Sequence, residues 1–352
     1  MTIDPASIRF SLILPTLNEA ARLPTILESV RRQRYRQDLI ELLVADGGST
    51  DDTIAIARRY GARVIHNPLR RAEPGAGILL EQATGDVAVL LAADNVFADE
   101  HFLEAMARPF RDQRIAAAFP ALVNTAQDGS TARYFNAFTD PFNHFVYGGA
   151  TSPASYRRTY REKRRTPDYV VYDFAAGPRP LIALAQGFAV RLPYRKPLGT
   201  DEDDIAPVEM LLAQGLEIAF VQNATLEHHT VRDIGDALRK FGPRFRARMT
   251  DSEQPVWQRF KVSTRGRRLR TYLWPFYSVS VIFPTLAAVV GAVRERRREW
   301  LYHPFVSAAF GFEFWRQAGI VAYERLRRTT ARRAAPTASL DRSDQSVRDG
   351  DR

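Results

Sequence analysis

The chain has 352 residues, 45% of them hydrophobic, with a formal net charge of +10 and no cysteine. It is long enough to bury one full-sized core plus one appended module. Disulfides and thiolate metal sites are excluded, so any metal ion must use oxygen and imidazole ligands. The first 60 residues are nearly balanced in charge, whereas Arg and Lys cluster at 157–165 and again from 239 onwards. Basic clusters beside apolar segments fit an anionic membrane surface better than nucleic acid, which is not expected as a partner. Residues 1–9 are polar, and no signal peptide is expected there.

Ile8–Leu14 reads as a first strand, broken by Pro15-Thr16-Leu17-Asn18-Glu19. Leu23, Ile26, Leu27 and Val30 then make a helical stripe within Ala20–Gln33. Ile40–Val44 is a second strand, ending in Ala45-Asp46-Gly47-Gly48-Ser49-Thr50-Asp51-Asp52 before a helix that runs through Tyr60. Arg63–His66 is a third strand, and Gly75–Ala83 is expected to be helical. Val87–Leu91 is a continuous apolar run, entered through Gly85-Asp86 and left at Asp94-Asn95. Such a run suits a strand buried on both faces of a parallel sheet. Asp99–Phe110 follows as a helix.

Alternation of strand and helix predicts a parallel sheet with right-handed crossovers. It brings Asn18/Glu19, Asp46 and Asp94/Asn95 to one sheet edge, the edge where open α/β sheets bind ligands. Asp94 is the first candidate for holding a metal ion or a nucleotide. Each acid also has a local reading. Asp51 and Asp52 can cap the following helix, Asp46 can close a turn before two glycines, Glu19 can sit in a helical first turn, and Asp94 can form an Asx-turn.

Leu14-Pro15-Thr16-Leu17-Asn18-Glu19, Asp46-Gly47-Gly48-Ser49-Thr50-Asp51-Asp52-Thr53, and Ala83-Thr84-Gly85-Asp86 running into Ala93-Asp94-Asn95 together resemble the inverting family 2 glycosyltransferases of the GT-A fold. The resemblance is strong over residues 8–110 and weaker over 180–230. It implies that Pro15, Thr16, Asn18 and Glu19 line a nucleobase and ribose pocket and that Asp46 binds the base. It implies that Asp94 is the last acid of the family's Asp-x-Asp motif, holding Mg2+ or Mn2+ on the donor diphosphate. The chain departs from that motif at its first acid, where Ala92 stands. A hard divalent ion on oxygen ligands would neutralise a sugar-diphosphate leaving group.

Ile115–Leu122 is expected to be a strand interrupted by Pro120. Tyr134–Tyr147 is rich in aromatics and either faces an acceptor or packs on the sheet edge. The basic stretch Arg157–Arg165 either meets lipid phosphates or is a solvated loop. Gln186-Gly187-Phe188 resembles the family's small-residue strand beneath the acceptor. Thr200-Asp201-Glu202-Asp203-Asp204 precedes a helix, Pro207–Gln214, and a strand, Leu216–Val221, that leads to His228-His229. By the resemblance, Asp204 of the Asp203-Asp204 pair is the catalytic base, with Glu202 as the alternative, and His228 is a metal ligand or diphosphate contact. His229 either shares that role or points into the core. Arg239, Lys240, Arg244, Arg246 and Arg248 follow on a helix; Arg244, Arg246 and Arg248 cannot all share one face, so one is expected to reach the diphosphate and the others to be surface or membrane contacts.

Thr271–Val293 carries no charge and lies between Arg265–Arg270 and Arg294–Arg298. Its length suffices for a span, but basic flanks on both sides and Pro275 and Pro284 fit a kinked re-entrant or in-plane helix pair better. Phe305–Tyr323 is a second, amphipathic stretch that either lies in a membrane interface or forms a soluble helical subdomain packed on the catalytic domain. The expected architecture is an α/β GT-A (Rossmann-like), mostly parallel sheet flanked by helices, with a C-terminal apolar helical membrane-associated segment. The expected units are a catalytic domain over 1–250, a membrane-associated helical segment over 251–328 and a disordered tail over 329–352. The function expected from the resemblance is metal-dependent, inverting transfer of a sugar from a nucleotide-diphosphate-sugar to a lipid-linked or glycan acceptor. The expected location is the cytoplasmic side of the cell membrane, in envelope glycan synthesis. The alternative is a catalytically impaired nucleotide-sugar- or lipid-binding scaffold of the same fold, which Ala92 keeps open.

Overall fold

The computed structural model describes residues 7–195, 206–250 and 265–334. Its centre is a ten-stranded sheet in the order β3-β2-β1-β4-β9-β6-β10-β8-β7, with β5 paired to β10. The strands are β1 (Phe10–Thr16), β2 (Ile40–Asp46), β3 (Arg63–His66), β4 (Val87–Leu90), β5 (Asn95–Phe97), β6 (Ile115–Val123), β7 (Glu162–Arg165), β8 (Val170–Tyr172), β9 (Phe188–Arg191) and β10 (Glu217–His228). The first four are parallel neighbours, in a register that sets Thr16 beside Asp46 and Ile13 beside Leu90. β9 runs antiparallel to both β4 and β6, so those two point the same way, and β10 is parallel to β6. β5, β8 and β9 therefore run against the other strands, and the sheet is mixed but mostly parallel in direction.

The order follows from burial. All four residues of β4 are buried, as an apolar strand in the middle of a sheet covered on both faces requires. β3 has two exposed residues and takes the edge. The helices α1 (Leu23–Arg31), α2 (Thr53–Arg59), α3 (Ala72–Gln82) and α4 (Phe102–Ala107) connect this half. α1 begins with Pro in its first turn and buries Leu23, Ile26, Leu27 and Val30, the stripe read from sequence.

Three departures bear on the site. β5 was not expected; it is only three residues long and pairs antiparallel with the end of β10, His228 opposite Asn95. The stretch Arg157–Arg165 is not a loop: it straddles α7 (Pro153–Thr159) and β7, with Arg157, Arg158, Arg161, Lys163 and Arg165 exposed and its later basic residues paired with protein carboxylates. Arg161 pairs with Asp173 at 2.9 Å, and Arg164 with Asp112 at 3.1 Å and Glu217 at 2.8 Å. The aromatics of Tyr134–Tyr147 form α5 (Ser130–Phe138) and α6 (Pro141–Tyr147) and point mostly into the core, so packing accounts for them.

After α8 (Ala206–Ala213) and α9 (Ile234–Thr250), the C-terminal helices are α10 (Arg265–Val279), α11 (Ile282–Glu295) and α12 (His303–Ala334). They are not an appendage, because Trp274, Trp300, Val306 and Phe310 belong to the same buried cluster as Ala117, Phe188 and Val190 of the sheet. α12 continues to Ala334, through the start of the tail expected from residue 329, and 335–352 lie outside the described residues. No single described helix is long and apolar enough to cross a membrane. α10 and α11 pass that test only together, and they are bent by 99° at their junction.

Candidate active site

The carboxyl ends of β1, β2, β3, β4 and β10 and the start of the reversed strand β9 meet along one edge. On the nucleoside-facing side expected from sequence, the loop after β1 is tied to the loop after β2. The Asn18 N–H donates to Ser49 Oγ at 2.9 Å, the Thr50 N–H donates to Asn18 Oδ1 at 2.8 Å, and the Glu19 N–H donates to Thr53 Oγ1 at 2.8 Å. Asn18 takes a positive φ of 55°, a conformation that asparagine tolerates better than most residues. Asp51 accepts from the Thr53 N–H at 3.1 Å and so caps α2, whereas Asp52 makes no side-chain cap.

Asp46 is buried, and Oδ2 accepts the N–H groups of Gly48 at 2.8 Å and Ser49 at 2.9 Å, while Oδ1 accepts the Ser49 hydroxyl. Its carboxylate thus shapes the Gly47–Ser49 turn, and any base would meet a rigid wall rather than a free acid. Beside it, Thr16 Oγ1 and Asn67 Oδ1 are buried polar atoms with no partner among the described residues. Buried atoms of this kind are uncommon and mark a place where a ligand can complete the bonding. Asn67 was missed from sequence. It is the first residue past β3, so the strand-end rule that selected Asp46 would have found it. Glu19 has its pKa raised by burial, with Arg22 at 3.5 Å opposing that shift.

Asp94 lies just past β4, and its backbone carbonyl accepts the His229 N–H at 2.8 Å. Its Oδ2 is 3.9 Å from His228 Nε2 and 3.5 Å from Lys240 Nζ. His228 is held from two sides: Nδ1 is 3.2 Å from Asn136 Oδ1, and Nε2 is 3.2 Å from the Gln186 amide nitrogen. With the amides oriented this way, Nδ1 donates to Asn136 Oδ1 and the Nε2 lone pair accepts from Gln186, the neutral tautomer with its proton on Nδ1, so a metal ion on Nε2 would displace the Gln186 amide. Burial lowers the pKa of His228 to about 4 and keeps it neutral. Asn136 Nδ2 donates in turn to Asn124 Oδ1 at 3.0 Å, which orients the amide. His229 does not enter the core; it is more exposed and faces Glu227 and Asp128.

Gly187 opens β9 beside this group, and its N–H donates to the Leu90 carbonyl at 2.9 Å. Its φ is +79°, and a Cβ there would stand 2.8 Å from Pro120 Cγ, so only glycine fits without displacement. Asp203 and Asp204, expected to supply the base, lie outside the described residues, immediately before α8.

A family 2 resemblance implies a divalent ion. Asp94 and His228 offer one oxygen and one imidazole nitrogen on neighbouring strand ends, a donor set that fits Mg2+ or Mn2+ when diphosphate oxygens and water complete the shell. No group of three or more His, Asp or Glu side chains suited to a metal occurs among the described residues. A groove of about 500 Å3 lined by Leu27, Arg31, Ile40 and Tyr60 sits at the opposite sheet edge, where β2 begins, and contributes nothing to this site.

The sequence profile of Glycosyl transferase family 2 matches residues 11–181. A PGL/p-HBAD biosynthesis glycosyltransferase of Mycobacterium bovis (strain BCG / Pasteur 1173P2) is 35% identical over 96 residues, which is 26% of this chain and 37% of the relative. A 4,4'-diaponeurosporenoate glycosyltransferase of Staphylococcus haemolyticus is 31% identical over 111 residues, 30% of this chain and 29% of the relative. The matches thus span 37% and 29% of the length of these two curated relatives. Among solved structures, a mannosyltransferase from Pyrobaculum calidifontis in complex with GDP-Man and Mn2+ covers 88% of this chain and 87% of its own, at 15% identity and a TM-score of 0.49. A glucosyl-3-phosphoglycerate synthase from Mycobacterium tuberculosis, in complex with Mn2+, UDP and glucosyl-3-phosphoglycerate, covers 74% and 82%, at 18% identity and a TM-score of 0.46. The profile match spans β1 to β8 and supports assignment of this chain to the family 2 glycosyltransferases.

Proposed function

We propose that this chain is an inverting glycosyltransferase that moves a sugar from a nucleotide-diphosphate-sugar to an acceptor hydroxyl at a membrane surface. The observation that carries the reading is the meeting of Asp94 and His228, from distant parts of the sequence, beside a rigid Asp46 turn and the unpartnered Thr16 and Asn67 side-chain oxygens. The turn and the two oxygens suit a nucleoside, and Asp94 and His228 suit the diphosphate end. A Mg2+ or Mn2+ ion on Asp94 and His228 would supply charge neutralisation to the leaving diphosphate.

The acceptor oxygen attacks the anomeric carbon from the face opposite the diphosphate. The new C–O bond forms as the bond to the phosphate oxygen breaks, and the acceptor proton passes to a carboxylate, for which Asp204 or its neighbour Asp203 is assigned. The nucleoside diphosphate leaves, and the configuration inverts.

A lipid-linked acceptor and a location on the cytoplasmic face of the cell membrane are supported by the C-terminal helices. On α11, Ile282, Phe283, Leu286, Val289, Val290 and Val293 are each 50–75% exposed, while Pro284, Ala288 and Gly291 face inward. An exposed apolar face of this kind, rimmed by the Arg294–Arg298 cluster, fits a helix lying in the plane of an anionic bilayer.

The test is a thermal-shift screen of UDP, GDP and other nucleoside diphosphates with and without Mn2+, followed by hydrolysis and transfer assays with the matching nucleotide-sugars. A nucleotide-specific stabilisation and turnover lost in Asp204→Asn are expected. Absence of both with every common nucleotide-sugar sinks the reading.

A further inference from the structure

Lys240 occupies an unusual place for a basic residue of α9. Its neighbours on that helix are otherwise engaged: Arg239 pairs with Asp236 at 3.3 Å, the Arg244 guanidinium lies 5.1 Å from the centre of the Phe241 ring, and Arg246 pairs with Glu324. Lys240 alone of these is turned to the strand ends. Its Nζ donates to Thr230 Oγ1 at 2.7 Å and stands 3.3 Å from the Thr230 carbonyl, and it is 3.5 Å from Asp94 Oδ2. Thr230 is buried, so the ammonium is held from behind while the Asp94 side remains partly open.

The charge count at this spot is informative. Asp94 contributes one negative charge, Lys240 one positive, and His228 is neutral. With Ala92 where a second acid would stand, Lys240 offsets Asp94, leaving Glu19 and Asp128 as the further carboxylates that act on the pair and on His228. An ammonium already in place offers a fixed cation to an incoming phosphate oxygen, as a point charge with three donors.

We propose that Lys240 is a donor-phosphate contact: it neutralises Asp94 in the free protein and turns its ammonium to the diphosphate of the bound nucleotide. Nucleoside diphosphate binding thereby keeps a component that needs no metal ion. The inference rests on the donor-site reading above and extends it to a residue and a charge source outside the Asp-x-Asp and histidine positions.

The test is calorimetric titration of UDP and GDP, and of uridine and guanosine, into the full chain and its Lys240→Met and Lys240→Arg variants, once in EDTA and once in Mn2+. The unsubstituted chain is expected to bind its preferred diphosphate in EDTA. Lys240→Met is expected to weaken that binding by at least about tenfold, and Lys240→Arg to keep it within about threefold, while nucleoside binding and the unfolding temperature stay unchanged. Equal diphosphate affinity of the Met variant and the unsubstituted chain in EDTA overturns the proposal, as does diphosphate binding that is absent without Mn2+. Parallel loss of nucleoside affinity or of thermal stability in the Met variant assigns Lys240 a structural role and overturns it too. If neither diphosphate binds under any condition, the donor-site reading itself fails, an outcome distinct from the others.

Discussion

His228 Nε2 stands 3.9 Å from Asp94 Oδ2, and the backbone beside them closes the same junction, the His229 N–H donating to the Asp94 carbonyl at 2.8 Å. The two side chains meet because β5 folds back onto the end of β10, three residues of antiparallel pairing that start one residue after Asp94. The ring is then fixed by Asn136 and Gln186, and the amide of Asn136 by Asn124.

Removing either side chain of this pair should damage the diphosphate end without unfolding the protein. Asp94→Asn and His228→Ala are each expected to lower transfer by about 100-fold, the scale on which loss of one group that stabilises developing charge is felt. Asn136→Ala, which only frees the ring, is expected to raise the Mn2+ concentration for half-maximal activity by about tenfold. Metal titrations of activity check all three. An Asn136→Ala variant with unchanged Mn2+ dependence would separate the ring's orientation from metal use.

Acid should destabilise the fold through histidines kept neutral by burial. The pKa values of His144 and His228 are lowered to about 4 and that of His303 to about 3, all by burial. An unfolded histidine titrates near 6.5, so between about pH 6.5 and 4 the unfolded chain binds protons that the folded chain refuses. Stability from this source is complete above that window and falls as pH drops through it, by about 1.4 kcal/mol per pH unit per histidine. Urea midpoints measured from pH 8 to 5 should decline, and His144→Phe should make the decline shallower. An identical slope in that variant would remove His144 from the account.

The C-terminal helices should be required for the stability of the sheet. Trp274 is 1% exposed and packs against Phe142, Phe245 and Phe314 in the cluster that also contains Phe188 of β9. Trp274→Ala is expected to cost about 3–5 kcal/mol, the range for a large buried aromatic. A single cooperative unfolding transition shifted to lower denaturant is the expected record. Two transitions, with only the later helices destabilised, would show an independently folding segment instead.

Membrane docking should be separable from folding. Leu286 and Val290 lie on the exposed face of α11 and contribute little to the interior. The double variant Leu286→Glu with Val290→Glu is expected to lower co-sedimentation with phosphatidylglycerol vesicles by about tenfold or more and to leave the unfolding temperature unchanged. Binding to the vesicles as strong as before would exclude this face as the docking surface.

The strands β1 to β4 and the polar residues beyond them were readable along the chain, because apolar runs, turn residues and helical spacing are local signals. The same holds for the two-part character of residues 271–293, where Val281 at φ 57° marks the break, whereas Gly187 was reached through the family resemblance and its positive φ came from the fold. The Asp46 carboxylate illustrates the boundary: its place at a strand end was legible, but its commitment to the Gly48 and Ser49 N–H groups depends on loop geometry. β5 and the reversed course of β9 were not legible, since three or four residues carry no periodicity and their direction is set by the strands they pair with. Within the basic stretch 157–165, spacing did not show that Arg161 would meet Asp173 or that Arg164 would meet Asp112 and Glu217. Nor could spacing choose among Arg239, Lys240, Arg244 and Arg246. A helix displays its charges in all directions, and packing of α9 against α12 and the sheet end turned Lys240 to Asp94. Composition and pattern thus specified the parallel half-sheet and its acids, while long-range pairing, which no local pattern encodes, chose the partners of those acids and with them the chemistry of the site.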